Sequence, residues 1–262
     1  YEGGFKMAYA ELKNGRVFFE TAAAGSTAKG SLVFVHGAGG TYQKWAGQLE
    51  EGLDGWLLAA LDLPGHGASS GSTLESVAAY AEALVDFIEQ STMPRPLILV
   101  GHSMGAIIAL QTALNYPERV DGLVLIGAGA RMPVNPQMLE QLAQGTFDTG
   151  FLKIAYGREA PAELVQAELE QIAGVPQQQL FVDFNACNNF DVSGRLGEIS
   201  IPVLILVGDK DKMTPLKASQ YLNENIKNSV LHIVNGSGHH PMLEKTAETN
   251  QAIRQFAQVQ FK

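Results

Sequence analysis

Gly101-His102-Ser103-Met104-Gly105 sets one hydroxyl between two glycines, with LILV directly before the motif and AIIAL directly after it. A serine that merely caps a helix needs no such bracket. Two glycines have a purpose where a buried strand turns sharply into a buried helix, because side chains there would collide with neighbouring backbone. Such a turn strains the serine and lifts its Oγ clear of the sheet, the geometry of a G-x-S-x-G nucleophile. The first helical N–H groups, beginning with Met104, then face whatever lies beside the hydroxyl, and the helix dipole favours negative charge there. Ser103 is the candidate nucleophile.

A serine hydroxyl reacts poorly at neutral pH unless a base stands beside it and a third group orients that base. Of six histidines, His36, His66 and His102 fall in loops or beside the turn, and His232 falls within a strand pattern. His239 and His240 lie in NGSGHHP, just past the last strand, where a glycine-rich loop can carry an imidazole over the sheet edge. GDKDK follows the PVLILV strand and offers Asp209 or Asp211 as the orienting acid. The chain order serine, aspartate, histidine is one of those in which this constellation occurs. A second donor for a tetrahedral oxyanion is expected from HGAGG at His36 to Gly40, whose backbone can approach a substrate closely. The Ala38 N–H is the expected partner of the Met104 N–H, with Gly39 as the alternative.

Strand ends must bring these segments together. SLVFVH, WLLAALDL, LILV, GLVLIGAG and PVLILVGD are short, nearly continuous apolar runs. Such runs suit strands buried on both faces, as in a parallel sheet. AYAEL and RVFFETAA alternate and flank Lys13-Asn14-Gly15, a hairpin signal. Helical patterns lie between the runs. One follows Ser72 to Glu75, which have capping-box spacing; another runs from Met104 to about Tyr116; a third starts near Thr214-Pro215. Strands alternating with helices predict an α/β fold with a mostly parallel sheet covered on both faces. From about Arg131 to Leu196 the rhythm breaks: helical periodicity continues with no buried strand. An insertion of this length is expected to serve as a helical cap over the active site. The expected division is a core of residues 1–130 and 197–262 and a cap of 131–196.

Taken together, VHGAGG, LDLPGHGAS, GHSMG, YPERVDGLVLIG, PVLILVGDKDKMTP and GSGHHPMLEK resemble the α/β-hydrolase superfamily along nearly the whole chain. The resemblance implies Ser103 as nucleophile, Asp211 rather than Asp209 as acid, and His239 rather than His240 as base. It implies structural roles for Asp62, His66 and Glu244, and places a cap at 131–196. Dehalogenases and epoxide hydrolases of this superfamily use an aspartate where Ser103 stands. Carbon–carbon bond hydrolases often follow the His-Gly step with Gly-Pro, absent from HGAGGTYQKW. The expected activity is therefore carboxylic-ester hydrolysis through an acyl-enzyme. Carbon–carbon bond, thioester, lactone or perhydrolase chemistry is the alternative, and a non-enzymatic small-molecule receptor the more distant one. Met132, Phe147, Phe151, Tyr156, Phe181, Phe184 and Phe190, with Gly39 and His240, are candidates to line a pocket for small to medium hydrophobic esters.

Composition narrows the classes. The 262 residues carry a formal net charge of −9 and no basic stripe, which argues against nucleic acid as a partner. No apolar run approaches the roughly 18 residues a membrane span requires. The single cysteine, Cys187, excludes an intrachain disulfide. No metal-ligand spacing and no dinucleotide fingerprint appear, so no cofactor is expected, and the expected partners are a small-molecule ester and water. YEGGFKMAYAELKNG lacks a basic segment followed by an apolar core, so a cytoplasmic protein is expected, with Met7 as its initiator and Tyr1 to Lys6 as an added tail. Monomer and dimer both remain open.

Overall fold

The apolar runs become strands in a computed structural model that describes residues 5–13, 15–23, 28–53 and 55–261. These are β1 Lys6–Leu12, β2 Gly15–Ala23, β3 Gly30–Val35, β4 Trp56–Leu61, β5 Leu97–His102, β6 Gly122–Ile126, β7 Val203–Gly208 and β8 Ser229–Val234. They form one sheet in the order β1-β2-β4-β3-β5-β6-β7-β8. β1–β2 and β2–β4 pair antiparallel, and every pairing from β4 to β8 is parallel, as expected. β1 and β2 pair from Lys6↔Thr21 to Leu12↔Gly15; Asn14 of the expected turn, and Tyr1 to Gly4 of the expected tail, lie outside the described residues.

The helices are α1 Ala46–Glu51, α2 Val77–Ser91, α3 Met104–Asn115, α4 Pro136–Gln144, α5 Ala162–Ala173, α6 Gln177–Asn188, α7 Leu216–Asn225, α8 Pro241–Glu244 and α9 Thr246–Gln260. Successive residues of the central strands point to opposite faces, so each strand feeds two cores. Val33, Val35, Leu97, Leu99, Leu123 and Leu125 pack with Tyr80 and Phe87 of α2 and Ile107 and Leu110 of α3. Leu32, Phe34, Ile98, Val100, Val124 and Ile126 pack with Leu49 of α1 and Ile253 and Phe256 of α9. Burying each such side chain contributes about 1.5–3 kcal/mol, which is why these runs show no polar alternation.

α2 begins later than the spacing of Ser72 and Glu75 predicts. Ser76 is its N-cap, and the Ser76 Oγ accepts the Ala79 N–H at 3.1 Å. The Leu74 N–H instead donates to the Tyr80 hydroxyl at 3.1 Å, which holds the preceding residues outside the helix.

β3 is the pivot of the topology. The chain leaves it for β4 on one side and returns to β5 on the other. At such a switch point the loops leaving the two strands diverge and open a crevice at the C-terminal sheet edge. Register sets Val35 of β3 beside Gly101 of β5, so the HGAGG loop and the GHSMG turn leave the sheet side by side. Between β6 and β7 lie α4, α5 and α6, a 3₁₀ turn Thr149–Ala155 and an antiparallel bridge between Arg131 and Asp191. Met138, Leu142, Phe147 and Leu180 make a small core within this excursion. Its last part, with Ala186, Cys187, Phe190 and Leu196, packs into the main core instead.

Candidate active site

Ser103 sits at φ 51° and ψ −115°; among the described non-glycine residues, Thr92 is the other with positive φ. Such a conformation costs about 1–3 kcal/mol and persists where surrounding contacts over-determine it. Here the Ser103 N–H donates to the Ile126 carbonyl at 2.8 Å, and the Ser103 carbonyl accepts the N–H groups of Ala106 (3.0 Å) and Ile107 (3.2 Å). The flanking glycines are required by space. A β-carbon on Gly101 would come within 2.5 Å of the Ala106 backbone, and one on Gly105 within 2.6 Å of the Val35 carbonyl carbon. Met104 is the first residue of α3, so its N–H has no intrahelical acceptor. Neither that N–H, nor the Ala38 N–H, nor the Ser103 Oγ has a protein hydrogen-bond partner among the described residues.

His239 Nδ1 donates to Asp211 Oδ2 at 2.8 Å, with both side chains almost fully buried. The other carboxylate oxygen of Asp211 accepts the Met213 and Thr214 N–H groups, each at 2.8 Å, which orients it. Nδ1–H donation leaves the lone pair on His239 Nε2, the atom a base needs free. Asp209, the other candidate acid, turns away: it accepts the Gly236 N–H at 2.7 Å and pairs with Lys210. The His239 backbone is held by His102, whose Nε2 donates to its carbonyl at 2.9 Å, and by the Ala155 carbonyl, which accepts its N–H at 2.6 Å. Glu244 accepts the N–H groups of Gly157 (2.8 Å), Gly238 (3.0 Å) and His240 (3.1 Å), a structural clasp on the same loop.

The loop after β3 is fixed by a residue that composition and motif did not single out. Asp183 of α6, fully buried, accepts the Gly39 N–H (2.8 Å), His66 Nε2–H (2.8 Å) and the Tyr80 hydroxyl (3.2 Å). His66 Nδ1 faces the Pro64 carbonyl at 3.1 Å, so both ring nitrogens meet oxygen acceptors. Burial disfavours the charged ring, but the Asp183 hydrogen bond and charge outweigh it and raise the His66 pKa above its ordinary value. This engagement corrects the reading of Gly39: its N–H is consumed by Asp183 and its carbonyl accepts Gln171 Nε2 at 3.2 Å. Gly39 is an anchor of the loop rather than a donor to substrate. Asp62, accepting the Tyr42 N–H and Ala68 N–H at 2.7 Å each, is structural, as its resemblance implied.

Ser103, His239, Gly37 and Ala38 line one partly open cleft of about 80 Å³. Of the aromatic residues expected to line it, Tyr156 and Phe184 do, and His240 does as well. The others are placed elsewhere. Phe147 and Phe181 pack in the small core of the excursion, Phe190 is buried in the main core, and Phe151 is exposed. Met132 packs against the main core, and its Sδ accepts the Thr214 hydroxyl at 3.7 Å. Leu152, Leu169, Ile172 and Met213 take the places of these residues in the cleft wall.

Lys44 and Glu168 also reach the cleft and form an ion pair there, with the Tyr156 hydroxyl donating to Glu168 Oε2 at 3.2 Å. Burial lowers the Lys44 pKa, against the opposing pull of Glu168. Sequence did carry a signal for both missed acids. Glu168 lies four residues from both Leu164 and Ile172, and Asp183 three residues from both Leu180 and Ala186. Each is thus a charge on the apolar stripe of its helix. Among the described residues no group of three or more His, Cys, Asp or Glu side chains is placed to hold a metal ion.

Known proteins share this architecture. Residues 32–252 match the alpha/beta hydrolase family. A pimeloyl-[acyl-carrier protein] methyl ester esterase from Methylococcus capsulatus is 27% identical over 92% of this chain and 98% of its own. Among solved structures, a thermophilic esterase superposes with a TM-score of 0.84 at 28% identity, covering 98% of each chain. An esterase from Thermogutta terrifontis superposes at 0.87 with 22% identity, covering 98% of this chain and all of its own, which speaks to the fold. A family match over most of the chain, on a sheet whose loops meet at the switch point, makes this chain a member of the alpha/beta hydrolase family.

Proposed function

We propose that the protein is a serine carboxylic-ester hydrolase acting on small to medium, largely hydrophobic esters through an acyl-enzyme. The observation that carries this reading is the Asp211–His239 hydrogen bond of 2.8 Å at the wall of the cleft that Ser103 also lines. Ser103 Oγ attacks the ester carbonyl carbon while His239 Nε2 takes its proton. The developing oxyanion accepts hydrogen bonds from the Ala38 and Met104 N–H groups, which have no acceptor among the described residues. Collapse expels the alcohol, which takes the proton back from His239. Water then attacks the acyl-Ser103 ester, giving its proton to His239, and the carboxylic acid leaves as Ser103 is reprotonated. Asp211 holds the imidazole in the productive tautomer and stabilises the imidazolium.

Residues 131–196 act as a cap in this reading. Leu152, Tyr156, Ile172 and Phe184 from that segment line the same cleft as Ser103 and His239. A cleft wall that is mostly apolar with a few convergent polar groups suits a hydrophobic ester. Two of the similar proteins named above, each above 25% identity, are esterases, which supports the same chemistry. The test is a panel of p-nitrophenyl esters of increasing acyl length on the native protein and on Ser103→Ala, with mass-spectrometric mapping of a phosphonate adduct. Turnover falling by about 10⁴ or more in the variant, with the adduct on Ser103, is expected. Native-like turnover by Ser103→Ala would overturn the reading.

A further inference from the structure

We propose that Lys44 is a specificity-determining residue: with Glu168 and Tyr156 it forms a charge-balanced polar subsite in the cleft that binds an uncharged carbonyl or ether oxygen of the substrate, besides the ester being cleaved. The inference rests on the esterase reading above and names the substrate class it favours.

Lys44 belongs to the 3₁₀ turn Tyr42–Trp45 directly after the HGAGG loop, and Glu168 to α5 in the excursion. Their side chains are only 11% and 15% exposed, and both line the cleft with Ser103 and His239. A buried ion pair is no more stabilising than well-packed apolar side chains of similar volume. Beside Leu169 and Ile172 in an otherwise greasy wall, stability does not account for it. An ammonium has three donors. Glu168 accepts one of them, and no other described residue accepts the remaining two from the Lys44 Nζ. Glu168 Oε2 is itself shared with the Tyr156 hydroxyl. The subsite is continuous with the triad. Tyr156 stacks on His240 with ring centroids 4.7 Å apart at 13°, and His240 lies 4.7 Å from His102, the residue before the nucleophile.

The charge balance selects the ligand. One cation and one anion sum to zero on this wall, so a substrate carboxylate drawn to Lys44 also meets Glu168. A neutral carbonyl or ether oxygen accepts from Lys44 without that repulsion. A purely hydrocarbon group leaves the two donors unmet, which is costly in a cleft that closes around its ligand.

The test compares ethyl 3-, 4- and 5-oxohexanoate with ethyl hexanoate, and 2-methoxyethyl hexanoate with butyl hexanoate, using monoethyl adipate as the anionic member. For the native protein, at least one oxo or ether ester is expected to exceed its isostere in kcat/KM by about tenfold, with monoethyl adipate below ethyl hexanoate. In Lys44→Met/Glu168→Gln, which removes both charges together, the oxo or ether preference disappears. In Glu168→Gln alone, monoethyl adipate rises relative to ethyl hexanoate. A native protein without preference in either series overturns the proposal with no variant needed, and so does a preference that survives in the double variant. Loss of all ester hydrolysis in the native protein would instead strike the esterase reading.

Discussion

Asp183→Ala tests whether the buried network beneath the HGAGG loop holds it in place. The substitution leaves the His66 ring, the Gly39 N–H and the Tyr80 hydroxyl without the acceptor they share at 2.8, 2.8 and 3.2 Å. Breaking a buried, hydrogen-bonded charge pair from one side costs about 3–5 kcal/mol. At about 2–4 °C per kcal/mol for a chain of this size, the unfolding midpoint falls by about 6–20 °C. Asp183→Asn keeps one oxygen for Gly39 and His66 but removes the charge, and costs about 1–3 kcal/mol. The pH dependence separates charge from shape. The His66 pKa is raised above 6.5 in the folded protein. Its contribution is therefore complete below 6.5 and lost as pH rises through the folded value. Denaturant titrations from pH 6.5 upward are expected to show that decline in the native protein and not in Asp183→Asn. Because Gly39 adjoins Ala38, kcat for a p-nitrophenyl ester is expected to fall about 10- to 100-fold in Asp183→Ala at a temperature where it is folded. That is short of the about 10²–10³ lost when an oxyanion donor is removed outright. KM should change little, since Asp183 does not line the cleft. An Asp183→Ala protein melting within about 2 °C of native, with native kcat, refutes this reasoning.

Asp211→Asn is expected to lower kcat by about 10⁴ while leaving the fold intact, because the amide favours the wrong histidine tautomer; near-native kcat in a steady-state assay would remove Asp211 from its role. Gly105→Ala would force a β-carbon against the Val35 backbone and should cost about 3 kcal/mol, read as a lower denaturation midpoint; a neutral result would mean the β3–α3 contact is looser than described. His36, His102 and His240 are held well below the ordinary histidine pKa, chiefly by burial. The unfolded chain therefore binds more protons below pH 6.5, and stability should drop by up to about 1.4 kcal/mol per pH unit for each. A stability profile flat from pH 6.5 to 5 would contradict their burial as neutral rings.

Local pattern carried a good deal of this molecule. Short, continuous apolar runs such as LILV and PVLILV suit strands covered on both faces, and that is where they lie. Two glycines about one serine encode the strained turn, because the collisions they avoid are with chain five residues away or less and with the adjoining strand. The HGAGG loop and the two-histidine loop could be placed at strand ends for the same reason. Side-chain partnership across the chain could not be read this way. Asp209 and Asp211 are two residues apart and chemically identical, and only the path of the loop turns one toward His239 and the other toward Gly236. Asp183 meets Gly39 across 144 residues, and Lys44 meets Glu168 across 124. The aromatic residues of 131–196 divide among cleft, core and solvent according to how α4 packs on α6 and α5 on the 3₁₀ turn Thr149–Ala155. Periodicity records which face of a helix is apolar, whereas what that face touches depends on the packing of segments distant in the chain.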